Sequence, residues 1–163
     1  MTRSCAMSGH PPWHPTPNSG HMRLQEQRTV RRGLDEVFAY TADFSNIENW
    51  DPGVVRSVKV GEEAVGVGTR FDLDVKFGSR AVPMTYEVTV YEPPKRVVLV
   101  GTGDTVGAVD EIRFSSQNGR TIIDYTADLE FRNFIRFLTP FMGSTMRKVG
   151  ERALDGLVTA LDG

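Results

Sequence analysis

The chain has 163 residues, with 19 Lys and Arg against 21 Asp and Glu and a formal charge of −2. That balance gives no electrostatic reason to expect a nucleic-acid partner, because such binding rests on clustered cations neutralising phosphates. No apolar run approaches the roughly 20 residues needed to cross a bilayer, and no apolar h-region opens the chain, so the expectation is a cytoplasmic protein with no membrane span and a single core.

Residues 1–22 differ in kind from the rest, holding four of the nine prolines, all three histidines, the lone cysteine and no acidic residue. Proline removes backbone donors and the apolar residues show no period, so 1–22 read as a flexible N-terminal tail and 23–163 as the folded domain. Cys5 cannot form an internal disulfide, and the spacing of Cys5, His10, His14 and His21 matches no tight metal site. The domain itself has no histidine or cysteine, which excludes a Ser-His-Asp triad, a thiolate nucleophile and a His-ligated metal. Any acid–base chemistry there falls to Asp, Glu, Tyr or Lys. No metal and no cofactor is expected.

Leu24 to Arg32 alternates loosely, as a short strand does. The period then lengthens: Leu34, Val37 and Phe38, followed by Phe44, Ile47 and Trp50, predict two short helices, the second capped by Asp43 or Ser45 and closed by the Asp-Pro-Gly turn at 51–53. From Val54 a two-residue period holds for about 80 residues and predicts six strands in antiparallel succession, 54–60, 71–77, 84–90, 96–102, 106–114 and 123–131. Asn118-Gly119 supplies the last hairpin turn. Neither "GTGDTVG" at 101–107 nor "GVG" at 66–68 leads into a helix, so both read as hairpin turns rather than phosphate loops.

The chain ends in a helix. From Met142, the residues Met146, Val149, Ala153, Leu157 and Ala160 keep a 3.6-residue period opposite a charged arc, while Pro140 separates this helix from a helical turn through Phe134, Phe137 and Leu138. Gly143, Gly150 and Gly156 each cost such a helix roughly 0.5–1 kcal/mol. Gly150 lies beside the apolar arc, where it allows close approach to the sheet or leaves room for a ligand.

The order strand, two short helices, six strands and long helix resembles the helix-grip fold of the START/Bet v 1-like (SRPBCC) superfamily, of the polyketide cyclase/dehydrase and lipid-transport type. "VFAYTADFSNIENWDPGV", "GVGTRF", "YEPPKRVVLVG", "VDEIRF", "TIIDYTADLEF" and "TPFMGSTMRKVGERALDGLVTAL" are similar to phrases of bacterial members, in the same order. The resemblance implies an α+β fold in which a seven-stranded curved antiparallel sheet wraps the C-terminal helix, with a cavity between them for a hydrophobic small molecule such as a lipid, quinone or polyketide-like compound. It does not imply one activity, since carriers, aromatase/cyclases, quinone-binding proteins and chaperone activators share the fold. A monomer or homodimer is expected.

One residue departs from the strand pattern. In "VGAVDEIRF", Asp110 shares a face with Val106, Ala108, Ile112 and Phe114. A carboxylate on an apolar face is costly unless paired, hydrogen-bonded, solvated or protonated. Asp110 either faces the cavity, fixing a polar group or exchanging protons beside Tyr86 or Tyr125, or is turned by a bulge near Gly107 to solvent or to Arg113. The candidate catalytic residues are thus Asp110, Tyr86 and Tyr125. The candidate ligand-binding set is Trp50, Phe71, Leu73, Met84, Tyr86, Val88, Leu99, Ala108, Asp110, Ile112, Tyr125, Phe134, Phe137, Phe141, Met142, Met146 and Val149. Carriage of an apolar ligand is the leading reading; a cyclase or dehydratase using Asp110 and a tyrosine is the alternative, and a protein-interaction module a third.

Overall fold

The computed structural model of the chain describes residues 20–163, apart from the side chain of Phe134. Seven strands, β1 (Gly20–Val30), β2 (Val54–Val60), β3 (Arg70–Phe77), β4 (Arg80–Glu92), β5 (Arg96–Thr102), β6 (Val106–Gln117) and β7 (Arg120–Phe131), form one antiparallel sheet in the order β1-β7-β6-β5-β4-β3-β2. The first two strands are therefore opposite edges of the sheet. The chain crosses between them through α1 (Leu34–Ala42) and a 3-10 helix (Phe44–Asn49), and after β7 a second 3-10 helix (Asn133–Leu138) leads into α2 (Thr139–Asp162). Register shifts between Val54 and Arg56 and between Val88 and Val90 insert bulges, which increase local bending.

β1 starts three residues before the expected boundary, with Gly20, His21 and Met22 paired to Phe131, Glu130 and Leu129. The end of β7 offers backbone groups to any extended neighbour, so the ladder continues past the point where side-chain alternation stops being informative. The expected tail otherwise lies outside the described residues, as do Cys5, His10 and His14 of the weighed metal set.

Local chemistry explains the other elements. Asp43 caps the first 3-10 helix, accepting from Ser45 N at 3.0 Å, and Asn118 and Gly119 take positive φ in the hairpin before β7. Pro140 stands in the first turn of α2, where its missing N–H removes no helical bond. Phe38, Phe44, Val37 and Ala42 are buried, filling one end of the concave sheet beside Phe71, Phe114 and Tyr86. Each such fully buried aromatic contributes about 1.5–3 kcal/mol relative to exposure.

The C-terminal half of α2 closes the core with Ala153, Leu154, Leu157 and Leu161. It is tied to β1 by Arg28 Nε, which donates to Asp155 Oδ1 at 2.8 Å, and near it by Arg32 Nε, which donates to the Leu161 carbonyl at 2.6 Å. The closest backbone approach is at Gly156 rather than Gly150. A Cβ at 156 would run into the Trp50 carbonyl oxygen, whereas one at 150 would meet only Leu24 Cδ1 at 3.8 Å and Glu26 Cγ at 4.0 Å. No helix among the described residues is long and apolar enough to cross a membrane.

Candidate functional site

Between the sheet and the middle of α2 lies a chamber of about 150 Å³. The inner face of the sheet supplies Leu24, Leu73, Tyr86, Asp110 and Tyr125, the first 3-10 helix and the turn after it supply Ile47, Trp50 and Asp51, and α2 supplies Met146, Val149 and Gly150. A second cavity of about 420 Å³ shares Asp51, Tyr86, Met146 and Val149 with it and opens between the β3–β4 hairpin and the start of α2, past Phe77, Val82, Leu138 and Met142. A wider depression of about 670 Å³ is lined by Arg56, Asp72, Asp74, Asp104 and Arg132, and is polar where the other two are apolar. The pair of apolar hollows is the candidate site, because it alone brings the buried acid and both phenols together.

Asp110 faces inward and is 5% exposed. β6 carries no register shift against β5 or β7, so the period of two runs unbroken and holds the carboxyl on the core side, away from Arg113. Burial pushes its pKa up to about 7, helped by the negative charge of Asp51 and opposed by a hydrogen bond from Tyr86. The Tyr86 ring reaches Asp110 by lying across the cross-strand partner Gly101, where a Cβ would come within 2.7 Å of Cε1. A glycine at 101 therefore leaves the space the phenol occupies. Burial likewise raises Tyr86 and Tyr125 well above the ordinary phenol range, with Asp110 adding to both, so each keeps its proton.

Asp51 is the residue that pattern reading missed. Its Oδ1 accepts from Gly53 N at 2.7 Å, the usual behaviour of an Asx turn, which is the role its sequence suggested. The turn is nevertheless tucked under the sheet: Lys76 N donates to the Gly53 carbonyl at 2.7 Å, and Lys76 Nζ to the Pro52 carbonyl at 3.1 Å. This places the Asp51 carboxyl on both cavities, with its pKa raised by burial despite Gly53 and Lys76. Its adjacency to Trp50 was the only available signal. Trp50 packs edge-on against Tyr125 at 6.5 Å, and its indole N–H is buried without a hydrogen-bond partner.

Of the expected ligand-facing residues, Trp50, Leu73, Tyr86, Asp110, Tyr125, Met146 and Val149 line the chamber, and Met84, Ala108 and Met142 line the outer cavity. Phe71, Val88, Leu99 and Ile112 do not. They share the inner face but are sealed in the packed core, since alternation gives the face of a strand and not which part of it the short helices cover. Phe137 and Phe141 are 65% and 83% exposed and line neither hollow. The side chain of Phe134 lies outside the described residues. Among those residues, no group of three or more acidic, His or Cys side chains is placed to hold a metal ion.

No curated protein matches the chain. Its fold is similar to that of TTHA0849 from Thermus thermophilus, with 17% identity and a TM-score of 0.73 over 86% of this chain and 97% of that one. The ZhuI aromatase/cyclase from Streptomyces sp. R1128 is 18% identical, with a TM-score of 0.66 over 86% and 91%. A START superfamily protein from Mycobacterium smegmatis is 16% identical, with a TM-score of 0.66 over 88% and 96%. At these identities the likeness is one of fold, a curved seven-stranded sheet gripping a long C-terminal helix. The family model described as polyketide cyclase/dehydrase and lipid transport matches residues 21–162, and the chain belongs to that family.

Proposed function

We infer that the protein binds or carries a hydrophobic small molecule, held between the sheet and α2 with its polar end at Asp110. The observation that carries this reading is a carboxyl group buried beside Tyr86 on the wall of a largely apolar chamber. A packed core gains nothing from such a group, whereas a ligand site needs a few convergent polar atoms in an apolar lining. The Asp110 carboxyl gives that end a polar anchor, and Trp50, whose N–H is buried without a hydrogen-bond partner, lines the same chamber. A ligand burying about 250 Å² of apolar surface gains roughly 6 kcal/mol before the cost of immobilisation, which corresponds to an affinity of tens of micromolar at best. Native mass spectrometry of protein purified from its own host tests the reading. A retained apolar adduct that Val149→Trp displaces is expected; an adduct-free protein that also takes up no apolar probe from solution would refute it.

A second reading, a cyclase- or dehydratase-type enzyme, is favoured by one further feature. A carboxyl poised at about 7 can both donate and accept a proton near neutrality, and two phenols that keep their protons stand beside it. Turnover of a polyketide-like substrate that falls about 10²-fold or more in Asp110→Asn supports it, and equal turnover in both proteins removes Asp110 from the chemistry.

A further inference from the structure

The charges around the chamber are all of one sign. Asp110 on β6, Asp51 in the turn before β2 and Glu26 on β1 line it, and no Lys, Arg or His does. Glu26 is neutralised from behind by Arg28 Nη1 at 2.9 Å, but Arg28 does not reach the chamber wall. The nearest cation that lines either hollow is Lys76 on β3, in the outer cavity, where its Nζ is engaged by the Pro52 carbonyl. Asp128 on β7 adds a further negative charge near Asp110 and is itself paired with Arg23 at 3.7 Å. α2 contributes only Met146, Val149, Gly150, Ala153 and Leu154 to the chamber.

Three aromatic rings complete the surround. Trp50, Tyr86 and Tyr125 all line the same space of about 150 Å³, with Trp50 and Tyr125 set at 72° to each other. Ring faces attract cations through their quadrupole, most strongly where water is excluded, and they do so for quaternary ammonium groups that offer no hydrogen. Carboxyl groups beside such rings supply the counter-charge. A carboxylate ligand in the same place would meet two acids and no cation.

We propose that the chamber is an ammonium site: an apolar ligand carrying a protonated or quaternary amine seats its cation among Trp50, Tyr86 and Tyr125 against Asp110 and Asp51, its tail running along the outer cavity toward Met142. This rests on the reading of the two hollows as a ligand site and names the class of ligand. A cation there favours ionised Asp110, which burial otherwise holds near half-protonation at neutral pH, so binding releases protons and tightens from pH 6 to pH 8. Glu26, Asp51, Tyr86, Tyr125, Asp128 and Lys76 are the other titratable groups that face or flank this carboxyl.

The test is calorimetric titration of the full chain with decyltrimethylammonium, decanol and decanoate, three probes of matched tail and different charge. At pH 7 the ammonium probe is expected to bind at least about tenfold more tightly than either of the others and to release up to about half a proton, read from buffers of different ionisation enthalpy. In Asp110→Asn the proton release vanishes and the preference for ammonium over alcohol falls about tenfold. The proton count needs only the unsubstituted protein, so a poorly folding variant leaves the test intact. Equal binding of alcohol and ammonium, or a preference for decanoate, overturns the ammonium assignment while leaving the cavity reading in place. Failure of all three probes to bind overturns both.

Discussion

Asp110→Asn isolates the energetic consequence of burying one acid. The substitution keeps the shape and an oxygen for the Tyr86 hydroxyl but removes the titration. Taking about 7 for the folded protein and about 4 for the unfolded chain, the native state holds the extra proton between these values, so unfolding free energy falls as pH rises through that window. The stabilisation is complete below about pH 4, falls by about 2–3 kcal/mol between pH 5 and pH 8, and does not change above that. Asn carries no such slope. Urea unfolding of both proteins, followed by circular dichroism at pH 5, 6, 7 and 8, should therefore show the variant gaining on its parent by about 2–3 kcal/mol as pH rises, whatever its absolute stability. Parallel curves would mean that Asp110 ionises as an ordinary surface acid and is not buried on the chamber wall.

Tyr86→Phe removes the hydrogen bond that holds the Asp110 pKa down, so the midpoint of this carboxyl in a carbon-13 titration should move upward; no movement would show that the phenol does not reach it. Gly156→Ala places a methyl group against the Trp50 carbonyl and should cost about 1–3 kcal/mol in denaturant unfolding, whereas Gly150→Ala meets side chains only at ordinary contact and should add roughly 0.5–1 kcal/mol through helix propensity. Opposite signs at two glycines of one helix are the diagnostic result. Val149→Trp fills the wall common to both hollows and should weaken any bound apolar probe about tenfold or more, with the circular dichroism spectrum unchanged.

Periodicity located the strands well because each buries one face, and the change to a 3.6-residue period marked the C-terminal helix. That Asp110 breaks its face was legible for the same reason, but the pattern left open whether the carboxyl turned inward or through a bulge to solvent, which the unbroken register of β6 decides. What alternation could not supply was depth. Leu99 and Tyr86 sit on the same inner face, yet Leu99 is sealed in the core while Tyr86 borders the chamber, and that depends on where α1 and the first 3-10 helix cover the sheet. Aromatic residues at helical spacing imply an apolar contact without naming the partner, and Phe137 and Phe141, expected at the ligand on that ground, are exposed and line neither hollow. Asp51 was hidden by a sufficient local explanation: a residue that already caps a turn gives no sign that its carboxyl also faces a distant strand.

The residues that bury α2 all lie at or beyond Ala153, and its ties to β1 and the stretch after it, through Asp155, Leu161 and Asp162, lie there too. The helix is held at both ends, by its C-terminal core contacts and by Thr139 packed against Gly20 of β1, and its middle spans both hollows like a bridge. Burial is thus concentrated in the C-terminal half of the helix, beyond the part that roofs the hollows. Amide exchange should register the gradient directly, fast from Met142 to Gly150 and slow from Ala153 to Leu161.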